Sequence, residues 1–448
     1  MRRHLENLPT APAADHQRAV VRRLRDDVAG PVHLPGDAAY DAHRQVVSPD
    51  VDAQPAVVVE AHGPGDVVAG LAAAREHDLP FAVQSTGHGT YVPSDGGILL
   101  KTTAMDEVSI DPDRQVARVG PGALWGDVLA AARTFGLAPL SGSSATVGVT
   151  GFTLGGGVGW LSRTYGFAAD SVLRAEDVTA DARTVVAGPD EHADLFWALR
   201  GGGGNFGVVT SLEFRLYPVR HVYGGIAYFP IERAADVLAA YRDWAATIPD
   251  ELSTAYVLTR IPDTIGDDDL RGRRAVGLKV LYSGTPADAE RWLAPMRAAA
   301  GPALVDGFRP MEYADAAMGG TPAHFLDFFS GLSDPVVGEL VAAGAQSGPD
   351  APTVEIRHWG GAMATPSADA GPVGHRDAPF SVIVANPPAG LPAALSPWGL
   401  GATFLNFLSD PGRIADAYTS DAYQRLRAVK RAYDADNVFR LNHNITPA

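Results

Sequence analysis

Two loops of small residues offer the chemistry of a tightly held anionic ligand. QSTGHGTY (Gln84–Tyr91) follows a run that reads as a buried strand, and SGSSATVGVTG (Ser141–Gly151) repeats its composition. In the first loop Ser85, Thr86, Gly87 and Gly89 supply hydroxyls and unobstructed N–H groups, the donors a pyrophosphate needs. His88 lies between two glycines, so the same turn presents one imidazole. In the second loop Ser143, Ser144, Thr146, Gly148, Thr150 and Gly151 offer the same donors around Val147. Gly155–Gly157 and RGGGGNFG (Arg200–Gly207) add backbone that can approach a ligand closely. Phe152, Trp160, Phe206, Val208 and Val209 interleave with these glycines, which is unlike a flexible linker. No G-x-x-x-x-G-K-[ST] is present, and no G-x-G-x-x-G opens a helix with an acidic residue some twenty positions on. The pattern implies a ligand cleft assembled from several separated loops.

The elements around these loops are readable in part. Ala56–Ala61 predicts a strand, Gly63–Leu79 a helix with Pro64 in its first turn, and Phe81–Ser85 a second strand, together a βαβ unit. Short strands are expected at Gly97–Lys101, Glu107–Ile110 and Arg114–Val119. A helix is expected at Leu124–Thr134 and a loop at Pro139–Thr150. Beyond Pro218 strands at Val222–Phe229, Ala255–Arg260 and Ala275–Tyr282 alternate with helices at Ile231–Thr247 and Pro286–Ala300, an α+β texture. Asp263–Arg274 reads as a polar hairpin tip. Later strands are expected at Thr353–Trp359, Phe380–Ala385 and Ala402–Phe407, with a closing helix at Tyr418–Tyr433. A helix-like stretch, His16–Val28, lies in what reads as an N-terminal arm.

Candidates for proton transfer lie in VEIRHW (Val354–Trp359). Glu355 and His358 are three apart, so they face opposite sides of a regular strand. A carboxylate in so apolar a strand is expected to have a raised pKa, as a general base requires. An ion pair of Glu355 with Arg357 or Arg376 is the equal alternative. Tyr256 and His375 are weaker candidates. No metal-ligand cluster with recognisable spacing is present, and no metal is expected.

The 448 residues carry a formal charge of −16 and no cysteine. The charge argues against nucleic acid or an anionic membrane as partner. The missing thiol removes disulfides and every cysteine-based site. No run is long and apolar enough to span a membrane, and MRRHLENLPTAPAADH has no apolar stretch behind its arginines. A cytoplasmic protein is expected.

Five segments, in order, resemble the berberine bridge enzyme-like oxidoreductases of the vanillyl-alcohol oxidase superfamily, with a PCMH-type FAD-binding domain. They are PAVVVEAHGPGDVVAGLAAAREHDLPFAVQSTGHG, SGSSATVGVTGFTLGGGVGWLSRTYGFAADSV, DLFWALRGGGGNFGVVTSLEFRLYP, EIRHWGGAMA with GHRDAPFSV, and YQRLRAVKRAYDADNVFRLNHNI. The resemblance implies a two-lobed α+β fold: an arm (1–49), an FAD-binding domain (50–220), an inserted substrate domain (221–405) and a returning C-terminal segment (406–448). It implies FAD bonded through its 8α-methyl to His88. The second tether of many members is a cysteine at the position of Ser144, so here attachment through His88 alone is implied. Gly155, Gly204, Val208, Asn442 and Asn444 fall at positions implied to approach the cofactor, and Val147 at one that influences access of dioxygen. Two positions depart from the pattern: Val158 stands where an aromatic is frequent, and Phe407 where a tyrosine often serves catalysis. The implied activity is oxidation of a small organic molecule in secondary metabolism, with hydride passing to flavin N5 and dioxygen as acceptor. The alternatives are an oxygenase or cyclase that uses a flavin–oxygen adduct, and a flavin-binding homologue that has lost catalysis.

Overall fold

Parallel pairing in a short sheet sets the position of the first loop. In the computed structural model, which describes residues 11–448 and side chains from Arg18 onward, four strands lie in the order Val32–His33, Val57–Glu60, Ile98–Lys101, Phe81–Gln84. The last three are parallel and almost wholly buried, so their sequence shows an apolar run rather than alternation. The helix Pro64–Glu76 makes the crossover. Its Val67 and Leu71 pack with Val20, Val21 and Leu24 of the helix Ala11–Asp27. The first ten residues of the MRRHLENLPT segment, on which the reading about a secretory signal rests, lie outside the described residues.

A second sheet is antiparallel, in the order Val108–Asp111, Val116–Val119, Gly207–Arg215, Val172–Thr179, Thr184–Ala187. Its core gathers Trp125, Phe206, Phe214 and Leu426 from helices and strands far apart in the chain. The strand Val172–Thr179 escapes sequence reading because Arg174 and Glu176 interrupt its pattern. These side chains pair with each other, and Arg174 also pairs with Glu213 on the neighbouring strand.

The third sheet has eight antiparallel strands. His221–Pro230, Arg274–Tyr282, Leu252–Arg260, Thr353–His358, Phe380–Ala385 and Phe325–Phe329 run in that order, with Val305–Asp306 and Arg309–Glu312 both pairing with the first. Helices Ala234–Ala245, Pro286–Ala300 and Asp334–Gly344 cover one face through Val354, Ile356, Val382 and their neighbours. The opposite face carries Glu355 and Arg357. Phe325–Phe329 (FLDFF) is nearly all buried, so no period-two signal marks it as a strand.

Two local expectations are corrected. Ala402–Phe407 is not a strand but ends in a 3-10 turn, Leu405–Phe407, because the Asn406 side chain caps a distant loop. It donates to Phe152 O (2.9 Å) and accepts from Gly157 N (2.8 Å). The loop expected to run to Thr150 instead enters the helix Val149–Leu154. Among the described residues no helix is long and apolar enough to cross a membrane.

Candidate functional site

The first loop leaves the C-terminal end of the parallel strands. It turns through Gly87 (φ 78°) and Gly89 (φ 66°), left-handed values that favour glycine. Lys101, at the end of the adjacent strand, donates to Ser85 O (2.9 Å), and burial lowers its pKa to about 8 against the pull of Glu60. His88 Nδ1 lies 2.9 Å from Thr86 Oγ1, which orients the ring. The imidazole is at the surface of the loop, and partial burial lowers its pKa, which favours the neutral ring.

One buried cation ties the third glycine loop to the C-terminal tail. Lys430 is fully buried and donates to Asn205 O (2.7 Å), Phe439 O (3.0 Å) and Asp434 Oδ2 (2.6 Å). Asn442 in turn donates to Gly204 O (3.0 Å). These bonds hold the C-terminal segment against a loop from the middle of the chain.

The loops enclose a cavity of about 490 Å³, within the ~300–1,000 Å³ typical of small-molecule sites. Ser85, Thr86, Gly87, His88 and Gly89 line it from the first loop. Ser143, Ser144, Val147, Gly148, Thr150, Gly151 and Gly155 line it from the second loop and the helix that follows. Gly204, Val208 and Asn442 complete the set that the sequence singled out and the fold brings together. Two members stand off the wall. Thr146 is exposed with its hydroxyl 3.0 Å from Ser144 Oγ, and Asn444 is half-buried behind the wall.

The donor set fits FAD. Ser85 Oγ, Ser143 Oγ, Thr150 Oγ1 and Asn442 Oδ1 are buried at this cavity without a protein partner. Each such atom costs about 1–3 kcal/mol unless something pairs with it. A ligand rich in hydroxyls and phosphate oxygens would do so. A Cβ on Gly89, Gly151 or Gly204 would meet no atom within 4 Å, so those glycines keep ligand space open.

The proton-transfer candidates are placed differently from expectation. Glu355 is wholly buried and does not line the cavity. Its Oε2 accepts from Lys279 Nζ (2.9 Å) and Thr321 Oγ1 (2.8 Å), and its Oε1 accepts from Arg357 Nε. Burial alone would raise the carboxyl, but Arg357 and Lys279 outweigh it and hold the pKa down at about 2. The raised pKa expected of a base is therefore corrected: this carboxylate stays ionised. The ion pair with Arg357 forms, whereas Arg376 pairs with Asp170 (2.7 Å). Tyr256 and His358 stand on the helix-covered face, away from the cavity. Tyr256 donates to Ala234 O (2.9 Å) in the core, and burial pushes its pKa up. His358 packs against Phe380 (5.6 Å between rings), and burial, reinforced by Arg163, lowers its pKa to about 3. His375 is spent on Asp416 O (2.8 Å).

The lining residues not picked out as site residues from sequence include Tyr91, Asn406, His443 and Arg357. Tyr91 and His443 meet edge to face at 6.0 Å, and His443 Nε2 donates to Leu408 O (2.7 Å). His443 lies between the two asparagines already singled out. Arg357 lies two positions from Glu355, which puts it on the same face. Phe407 and Val158 line the cavity where the family pattern favours other residues.

The fold also gathers a histidine–carboxylate group that spacing concealed. Glu60 Oε1 lies 2.6 Å from His33 Nε2 and 3.4 Å from His43 Nε2, and the two rings stack at 4.9 Å. These residues could hold a metal ion geometrically, and Glu60 is already hydrogen-bonded to His33.

Comparison with known proteins agrees with this geometry. Residues 55–188 match the FAD binding domain family and residues 403–446 the berberine and berberine-like family. The chain is 30% identical to (R)-6-hydroxynicotine oxidase of Paenarthrobacter nicotinovorans, over 94% of this chain and 97% of that protein. The crystal structure of 6-hydroxy-D-nicotine oxidase from Arthrobacter nicotinovorans superposes with a TM-score of 0.82 at 28% identity, covering 94% and 98% of the two chains. A glucooligosaccharide oxidase from Acremonium strictum, described as carrying 6-S-cysteinyl, 8α-N1-histidyl FAD, shares the fold. Its TM-score is 0.79 at 22% identity, with 94% and 97% covered. The chain belongs to the berberine bridge enzyme-like FAD-linked oxidoreductases of the vanillyl-alcohol oxidase superfamily.

Proposed function

We propose that this oxidoreductase is an oxidase that holds FAD by a single bond from His88, accepts hydride from a small organic molecule and passes the electrons to dioxygen. The observation that carries the reading is the cavity, with unpartnered hydroxyls and open glycines on one wall and the polar face of the eight-stranded sheet on the other. Ser85 to Gly89, Ser143, Ser144, Val147, Gly148, Thr150, Gly151, Gly155, Gly204, Val208 and Asn442 would hold the cofactor. When bound, FAD supplies the hydride acceptor.

The chain's own residues orient and enclose. Thr86 fixes the ring of His88, whose neutral imidazole has a lone pair for the tether. The doubly linked FAD of the Acremonium enzyme supports a histidyl bond here. With no cysteine in the sequence, the second bond has no counterpart. Residues 50–220 with 406–448 form the cofactor lobe in this reading, residues 221–405 the substrate lobe, and residues 1–49 an arm. Glu355 is a positioning residue that fixes Arg357 and Lys279 on the substrate-facing sheet.

Air-mixing after anaerobic reduction by light tests the oxidase reading without knowledge of the substrate. Rapid return of the yellow colour with one hydrogen peroxide per flavin is expected. Reoxidation no faster than that of free reduced flavin would count against it.

A further inference from the structure

We propose that Arg357 is the docking group for an oxyanion on the substrate: a carboxylate, or the ionised form of a phenol or enol. This rests on the reading that FAD occupies the loop side of the cavity.

Among the described residues that line the cavity, Arg357 is the one Lys, Arg, Asp or Glu side chain. Its Nε donates to Glu355, and among the described residues no acceptor is hydrogen-bonded to Nη1 or Nη2. The guanidinium is held between Trp160 (5.7 Å) and Phe407 (5.6 Å). Phe407 has no hydroxyl that could occupy those donors. The result is a fixed fork with two free ends, the shape that pairs with two oxygens of one anion.

The charge around it points the same way. Glu355 is shared by two cations, and its oxygens are already taken by Lys279, Thr321 and Arg357. Lys279 spends a further proton on Gly319 O (3.2 Å), in the loop whose next residue, Gly320, lines the cavity. Two cations against one carboxylate leave this wall positive in a chain whose net charge is −16. Glu355, Lys279 and Arg357 are all buried, so that charge is weakly screened. It favours an oxyanion and disfavours a protonated amine.

The test uses three probes of one shape on the holoenzyme: benzoate, benzyl alcohol and benzylamine, each titrated while the bound-flavin absorbance is followed. Benzoate is expected to bind at least about tenfold more tightly than benzyl alcohol, and benzylamine most weakly. Arg357→Met should abolish the preference for benzoate and leave benzyl alcohol unchanged. Arg357→Lys, which keeps the charge without the fork, should retain part of it. Equal binding of benzoate and benzyl alcohol to the unaltered enzyme, no benzoate binding, or a preference that survives Arg357→Met would overturn the proposal. The wild-type titrations and Arg357→Lys decide the matter if Arg357→Met does not fold. Absence of bound flavin from the unaltered enzyme would instead defeat the cofactor reading.

Discussion

Glu355 and His358 stand three residues apart on one strand and face opposite sides of its sheet, Glu355 on the face whose Arg357 lines the cavity and His358 on the helix-covered face. Alternation along the strand separates them. It also puts Tyr256 with His358 and Arg357 with Glu355.

From this follows the first prediction. Tyr256→Phe and His358→Gln should leave the rate of flavin reduction by a working substrate within about twofold of wild type. Tyr256→Phe should lower stability by roughly 1 kcal/mol through the lost bond to Ala234. Stopped-flow reduction and denaturant unfolding on the same samples check both halves.

Glu355 is expected to matter for the fold and for Arg357. Glu355→Gln leaves Lys279 and Arg357 side by side without their shared anion, a change that costs about 3–5 kcal/mol when a buried pair is broken. The folded-state pKa, at about 2, lies below the ordinary 4.5. The stabilisation is therefore fully present above about pH 4.5 and is lost as pH falls toward 2. The gap in unfolding midpoint between wild type and Glu355→Gln should be widest near neutral pH and narrow on acidification.

Asp177 has the opposite sign. It is wholly buried on the strand Val172–Thr179, neither oxygen has a partner among the described residues, and burial raises its pKa to about 7. Its stabilising contribution is present below the ordinary 3.8 and lost as pH rises through 7. Asp177→Asn should accordingly gain stability relative to wild type as pH rises from 4 to 8, by on the order of a few kcal/mol. A difference independent of pH in thermal unfolding would contradict this. A Cβ on the neighbouring Gly207 would lie 1.8 Å from Asp177 Oδ2, so enlarging it requires the Asp177 carboxyl to move.

The glycine loops were legible because their composition is itself the signal: hydroxyls and missing side chains where a ligand must be approached. The βαβ entry was legible too, from the apolar strand and the proline-opened helix. What stayed hidden depends on pairing across long distances in the chain. Arg174 and Glu176 look like a loop until Glu213 is placed beside them, and Asn406 looks like part of a strand until Phe152 and Gly157 claim its amide. The pKa of Glu355 was misjudged for the same reason. Burial was visible in VEIRHW, but Lys279, on another strand, was not.

Gly204 separates ligand space from folding. Its Cβ position is open and its φ is not left-handed, so a side chain there is tolerated by the chain itself. Gly204→Leu should keep the apoprotein's thermal midpoint and lower the fraction of protein that takes up FAD by about tenfold or more. Flavin-to-protein absorbance ratio together with calorimetry distinguishes this from misfolding.

The tether at His88 is tested most directly by precipitating the holoenzyme with acid and digesting the pellet. The yellow colour should stay with the protein, and one flavin should be found on the peptide that contains His88. In His88→Ala the colour should pass entirely to the supernatant. Release of free FAD from the unaltered enzyme would contradict the account.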